Sequence, residues 1–372
     1  MITSYICLYC AMKVAQFESF ADLAVSKRKV KSEFFTQINK IVDWRPISNH
    51  INKHYSKGLS ATGKPEFDGL QLFKMCLLQT WYGLGEYEIE AQLNDSISFS
   101  KFCGLSLDSV SPDHSTLSRF RSIMTAKKAY EKLFKLLNNQ LEKHKIIVKT
   151  GAIVDASVID SPFKPKGKPT YEIAIDREEG QEQTSLEKVE ENPKLSCVKK
   201  LDSGVDREAN WVKKDGKIRY GYKKHVVTDE QGIILGVLTT AANVNEISNL
   251  KDVLNTADLP NHIPLKAEKG YKSEKNDDLL KERKLKNHIM KKAKRNKPLT
   301  VWEQKFNKLV GKVRFKVERT FGGINRWFNS TKARYRGMEK MQTQNLMDAI
   351  AYNLYRSPGI IMLNEVKKQN LT

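Results

Sequence analysis

The sequence predicts a chain in two parts, a helical region to about residue 147 and then an α/β unit built on a mixed sheet. Three observations carry that expectation. Up to about Lys145 the apolar residues recur three and four apart, the spacing of amphipathic helices. At Lys149 the texture changes to GAIVDASVID, apolar on both sides of one acid, as in a central strand buried on both faces. From there strand, hairpin, helix, strand, helix, strand and long helix follow in turn, an α/β order.

The bulk properties narrow the class. A chain of 372 residues is long enough for two or three domains with proper cores. Hydrophobic residues at 40% and charged residues at 29% suit a soluble globular protein. The 64 Lys and Arg against 43 Asp and Glu give +21 and a pI near 9.5. Such an excess fits a polyanionic partner, because each phosphate neutralised by Lys or Arg releases condensed counterions. No apolar run approaches the ~20 residues of a membrane span. The start MITSYICLYCAMKV lacks a basic n-region and a clear cleavage site, so the expected location is the cytoplasm. Cys7 and Cys10 have CxxC spacing without a second Cys or His pair, and with Cys76, Cys103 and Cys197 they read as free thiols.

Taken in order, residues 1–33 form a leader with no motif. Phe34 to Tyr55 reads as a helix with Phe34, Phe35, Ile38, Ile41 and Val42 on one face. KPEFDGLQLFKMCLLQTWYGLG reads as the next, Pro65 suited to its start and Gly83 and Gly85 to its end. Its Leu70, Phe73, Leu77, Leu78 and Trp81 read as core. Glu86 to Ile97 makes another helix. Ser111 or Asp113 then caps a short helix showing Arg119 and Arg121, and Ala126 to Lys145 closes the set with Tyr130, Leu133, Phe134, Leu137 and Leu141. Short helices with one basic face fit a helix-turn-helix-like DNA-binding module, and they fit a dimerisation or packing module nearly as well.

Asp155 stands at the centre of the first strand. A buried carboxylate costs several kcal/mol without a partner, so it is expected to be paired or to hold a cation, unless the strand end lies in solvent. A polar insertion follows at about 161–210, in which the acidic run DREEGQEQTSLEKVEE reads as a flexible loop. Lys217 to Thr228 and Ile233 to Thr240 read as a hairpin about a turn at Asp229 to Gly232, with Lys223, Lys224 and His225 on its first strand. His225 alone reads as a packing or surface residue. AANVNEISNLKDVLNTA gives a helix, HIPLKAEKGY a strand ending at Glu268, Asp277 to Lys284 a helix, and LKNHIM a further strand. Lys291 to Pro298 is a basic loop. It leads into an amphipathic helix, Lys312 to Asn329, with Val310, Val313, Val317, Phe321, Ile324 and Phe328 as its apolar stripe. Beside that stripe lie Arg314, Glu318 and Asn325, with Gly311 and Gly322 above and below the carboxylate. Separated acids at 155, 268 and 318 on so basic a chain suggest a site holding divalent metal against nucleic-acid phosphate.

At this point a resemblance enters. IVDASVI, NWVKKDGKIRYGYKKHVVTDEQGII with TTAANVNE, and KVRFKVERTFGGINRWF are similar to the strand, hairpin and helix of bacterial insertion-sequence transposases of the DDE type, in the IS-four/IS-five group. GLSATGKPEFDGLQLFKMCLLQTWYGLGEYEIEAQLNDSISFSKFCGL resembles that family's N-terminal helical domain. The resemblance implies a helical DNA-binding domain over 34–147 and a ribonuclease-H-like domain over 148–357, with 358–372 as a tail. It implies Asp155, Glu268 and Glu318 as catalytic acids and ligands of two Mg²⁺ ions, for which Mn²⁺ substitutes. It implies Arg314, Arg319, Arg326, Lys223 and Lys224 as phosphate contacts that position double-stranded DNA, both element ends and target. A homodimer on DNA, a nucleoid-associated cytoplasmic protein, and no membrane partner follow from the same likeness.

The sequence departs from the family at one acid. AEKGY stands where the family reads Ala-Asp-Lys-Gly-Tyr, so Glu268 replaces Asp, and Asn325 with Arg326 replaces the usual Lys after the helix Glu. An extra methylene moves a carboxylate by about 1 Å, a misplacement that costs on the order of 10²-fold in rate. A compensating backbone, a slow enzyme or a decaying element copy each explain it. The rivals are a catalytically inactive transposase-derived DNA-binding protein, a nuclease that never joins strands, and an RNA-associated basic protein, which lacks stacking aromatics of the RNA-recognition type.

Overall fold

A computed structural model describes residues 30–55, 67–106, 108–166, 170–175, 195–200, 204–214, 216–293 and 297–369. Most of the leader, Pro65, the acidic run at 176–191 and part of the basic loop at 294–296 lie outside the described residues. The helical region holds α1 (Val30–Ile41), α2 (Arg45–His54), α3 (Gly69–Trp81), α4 (Glu86–Asp95), α5 (Ile97–Cys103), α6 (His114–Ala126) and α7 (Ala129–Lys143). The single helix expected over Phe34 to Tyr55 is two. Pro46 sits in the first turn of α2, where its missing N–H costs nothing and where a continuous helix would break. Asp113 caps α6 by accepting from the Thr116 N–H at 2.6 Å. Phe73, Leu77, Leu78 and Trp81 enter the core as their spacing predicts. Arg119 is exposed, but Arg121 is not on an outer face. It is buried, bonded to Gln79 at 3.1 Å and to Glu86, with its guanidinium over the Tyr335 ring.

The second part is a six-stranded mixed sheet. Its strands are β1 (Ala152–Asp160), β4 (Asn210–Lys214), β5 (Lys217–Asp229), β6 (Ile234–Ala241), β7 (Pro264–Ala267) and β8 (Lys286–Ile289). Strands β2 (Thr170–Ile175) and β3 (Leu195–Lys200) pair separately within the polar insertion. The order is β4–β5–β1–β7–β8, with β6 also on β5. Strand β5 runs antiparallel to β1 and β6, while β7 runs parallel to β1 and β8 to β7. This is the mixed α/β sheet that the sequence predicts, preceded by helices. Gly221 is required where β5 meets β1, because a Cβ there would lie 2.0 Å from the Ile159 carbonyl oxygen. Gly232, at φ +84°, closes the β5–β6 turn, and the Asp229 carboxylate accepts from the N–H groups of Gln231 and Ile233.

Helices cover both faces, and adjacent lysines on β5 show which is which. Successive strand residues point to opposite faces. Lys223 donates to the Val244 carbonyl at 2.9 Å, just ahead of α8 (Glu246–Asn255). Lys224 instead meets Asp348 at 2.7 Å and Ser330 at 3.3 Å, on the face of α10 (Val301–Phe328) and α11 (Met338–Gln369). The remaining elements are a 3₁₀ turn (Lys269–Tyr271) and α9 (Glu274–Glu282). Helix α10 starts well before Lys312, because Thr300 and Glu303 form a capping box.

Helix α11 corrects the expectation of a tail from 358, since it runs on through Pro358. Its apolar residues Met341, Met347, Ile350, Tyr352 and Leu354 are buried and fall all round the helix, as in a helix packed on several sides. Its amides close the free edge of β6. Gln342 donates to the Val237 carbonyl, and Asn353 both donates to the Ile234 carbonyl and accepts its N–H. No helix among the described residues is long and apolar enough to cross a membrane.

Two stability predictions follow from these buried groups. Lys224→Met leaves the Asp348 charge unpaired and is expected to destabilise by about 3–5 kcal/mol, with Lys224→Met/Asp348→Leu recovering most of it in thermal melts. His225 is fully buried, with one ring nitrogen on Thr240 and the other unpartnered, and burial with the Lys223 charge pulls its pKa down to about 3. A depressed folded pKa means stability is fully present above the unfolded value of ~6.5 and is lost as pH falls toward 3. The melting temperature of His225→Leu is therefore expected to fall less between pH 6.5 and pH 4 than that of the natural chain.

Candidate active site

Asp155 lies mid-way along β1, paired in register with Val226 on one side. On the other side β7 ends at Ala267, opposite Val154, so Glu268 leaves the sheet beside Asp155. Glu268 caps the 3₁₀ turn with ordinary extended backbone angles, φ −70° and ψ 160°. Glu318 projects from α10, which packs its stripe of Val310, Val317, Phe321, Ile324 and Phe328 into the core. One side chain meets all three acids. The Arg314 guanidinium lies 2.9 Å from Asp155, 3.5 Å from Glu318 and 3.9 Å from Glu268. Asp155 and Glu318 are both reached from the same guanidinium nitrogen, Nη2.

The electrostatics follow from burial. Side-chain exposure rises from 10% at Asp155 to 41% at Glu268 and 55% at Glu318, so the site is a floor opening outward. Burial alone would lower the pKa of Arg314, but the charges of Asp155, Glu268 and Glu318 outweigh it and hold the group above its usual value. The arginine stays charged, and Asp155 has the partner that a buried carboxylate requires. Its second oxygen accepts the Ala156 N–H at 2.9 Å.

The donor set is all carboxylate oxygen, which suits hard divalent cations such as Mg²⁺ or Mn²⁺. Among the described residues no three His, Cys, Asp or Glu side chains are grouped to hold a metal as they stand. The acids surround the guanidinium, and Arg314 keeps an unpartnered buried Nε. The set therefore fits a divalent cation in the chemistry of its donors, and Asp155, Glu268 and Glu318 would be the residues to hold it.

The other expected phosphate contacts divide. Arg319 and Arg326 are exposed on α10, one and eight residues beyond Glu318. Lys224 and Lys223 are not available surface groups: the first is 2% exposed in its pair with Asp348, the second 7% exposed and held by Val244 and Glu246. Their role is corrected to fixing α11 and the approach to α8 against the two faces of β5. The sequence gives no local signal of this, because the partners Val244, Glu246 and Asp348 come from other segments. Tyr271, three residues beyond Glu268, is wholly buried, and no periodic pattern in the sequence singles it out.

A family model described as a transposase DDE domain matches residues 147–354, more than half of the chain. This chain belongs to the DDE transposases. A second family model, a transposase domain (DUF772), matches residues 24–122. A curated relative, the transposase for insertion sequence element IS1106 of Neisseria meningitidis serogroup B, is 32% identical over 241 residues, 64% of this chain and 76% of that one. No solved structure gives a match. The mixed sheet is thus that of a ribonuclease-H-like DDE domain, a class that works with divalent metal ions and on DNA.

Arg314→Gln removes the counter-charge of a buried acid and is expected to cost about 3–5 kcal/mol in metal-free buffer. Added Mn²⁺ should raise the melting temperature of this DDE transposase variant more than that of the natural chain. Equal shifts would mean that cation and guanidinium do not share the acids.

Proposed function

We propose that this DDE transposase binds the ends of an insertion sequence and catalyses their cleavage and transfer to target DNA, with Asp155, Glu268 and Glu318 as its catalytic acids. The meeting of acids from three distant segments on one guanidinium, at a site that opens to solvent, is the observation that supports the reading most. Asp155, Glu268 and Glu318 would together hold the cations. Two Mg²⁺ ions, or Mn²⁺ in their place, supply an activated water or 3′-OH and neutralise the charge growing on the leaving oxygen. Arg314, charged and in reach of all three acids, would also suit a phosphate oxygen brought to the site.

Arg319 and Arg326 position the duplex backbone. Gly311 and Gly322 keep the helix low on either side of Glu318: a Cβ at either would meet nothing within 4 Å, so protein packing gives no reason for them. In an exposed helix interior each costs about 1 kcal/mol relative to Ala, which a nearby DNA backbone explains. Residues 34–147 bind the element end, and two copies on DNA hold two ends together.

A catalytically inactive DNA-binding relative is the second reading, and Glu268 is the observation that favours it. A labelled-end assay separates the two. The first predicts cleavage and joining in Mg²⁺ that Asp155→Asn and Glu318→Gln abolish, with Glu268→Asp faster by about 10- to 100-fold. End-specific binding in EDTA with no cleavage in Mn²⁺, by either the natural chain or Glu268→Asp, decides for the second.

A further inference from the structure

Tyr271 is fully buried, and its hydroxyl has no hydrogen-bond partner among the described residues. A buried hydroxyl without a partner loses its hydration for nothing, so an oxygen that accepts from it is expected when the site is loaded. Burial raises its pKa well above the usual value, and the charges of Glu246, Asp155 and Glu268 add to that, with Arg314 opposing. The hydroxyl therefore stays a proton donor, and it stands within electrostatic reach of the acids already described and of one more.

That further acid is Glu246, the first residue of α8. Its carboxylate rests on the turn that links Glu268 to Tyr271: a Cβ on Gly270 would come within 3.2 Å of its Oε2. Asn276 locks the arrangement, donating to the Ile247 carbonyl of α8 at 3.0 Å and to the Tyr271 carbonyl at 2.7 Å. The ion partner of Glu246 is Lys223, at a long 3.4 Å, whose shorter bond goes to the Val244 carbonyl. Around the site four carboxylates, at 155, 246, 268 and 318, thus face two cationic side chains, Arg314 and Lys223.

We propose that Glu246 is a fourth acid of the divalent-cation site and that the Tyr271 hydroxyl donates to a cation-bound water held between Glu246 and the Asp155–Glu268 side. The inference rests on the reading of Asp155, Glu268 and Glu318 as metal acids. Glu246 acts on that water and on the cation, and Tyr271 orients the water without exchanging its own proton.

Mn²⁺ binding to the full chain, followed by electron paramagnetic resonance without DNA, tests it. Glu246→Gln is expected to weaken Mn²⁺ binding by about tenfold or more. Lys223→Met, which removes the ion partner and keeps the carboxylate, should bind Mn²⁺ at least as tightly as the natural chain. Tyr271→Phe should keep Mn²⁺ affinity and the KM for end DNA but lose kcat. Full Mn²⁺ affinity in Glu246→Gln, with binding lost in Asp155→Asn, overturns the fourth acid alone. Full affinity in Asp155→Asn as well overturns the metal site itself. Unchanged kcat in Tyr271→Phe overturns the part given to the hydroxyl. A measurement on the natural chain needs no variant to fold: Fe²⁺ with peroxide should cut the backbone near 246 as well as near 155, 268 and 318. Cutting at the latter three without 246 overturns the proposal.

Discussion

A buried carboxylate must have a cation, and Asp155 has Arg314. Much of the second part of the chain is arranged to make that pair and to bring two more acids to it. The carboxylate is held in a central strand flanked by β5 and β7, where it cannot turn to water. The guanidinium comes from a long helix whose stripe is fixed in the core, so it cannot withdraw without moving α10. Because the pair forms between residues 159 apart in sequence, it specifies how α10 crosses the sheet. Glu318, one helical turn beyond Arg314, is carried to the site by the same constraint.

The sheet repeats the device on β5. Lys224 and Asp348 form a second buried pair, and this one fixes α11. The two pairs differ in what surrounds them. Lys224 and Asp348 are closed over, with side chains 3% and 6% exposed, and Ser330 fills the remaining valence. The Arg314 cluster is open on the side of Glu268 and Glu318. A closed pair serves packing; an open one leaves acids that a cation can reach from solvent. That contrast separates a structural ion pair from a site more surely than charge type does.

The legible parts of the sequence were those where one physical requirement acts locally. The stripe of α10, the strand around Asp155, and the turn of Asp229 and Gly232 each follow from periodicity or from a conformation that few residues adopt. Arg314 and Glu318 were legible as neighbours, because four residues make one turn. What was not legible depends on partners remote in sequence. Lys223 and Lys224 look like a basic surface until strand alternation and Asp348 are known. Arg121 looks exposed until Glu86 and Tyr335 arrive from other segments. Pro358 looks like the end of a helix, yet it lies inside α11, between the buried Ser357 and Ile360. Tyr271 gives no periodic signal, since a three-residue turn has none.

Glu268 enters its turn without backbone strain. If the backbone had shifted to restore the position of a shorter acid, the 3₁₀ turn that begins at Glu268 would be the place to find it. The angles there are those of unstrained extended chain, and β7 keeps its register with β1 up to Ala267. The side chain stands 41% exposed and makes the longest of the three contacts to Arg314, at 3.9 Å. An acid that reaches outward loses little by being long while the guanidinium is its partner, since an ion pair tolerates a few tenths of an ångström. An octahedral cation does not. Under the proposed function, the extra methylene would be felt where a cation has to draw the carboxylate toward Asp155, in chemistry and not in folding.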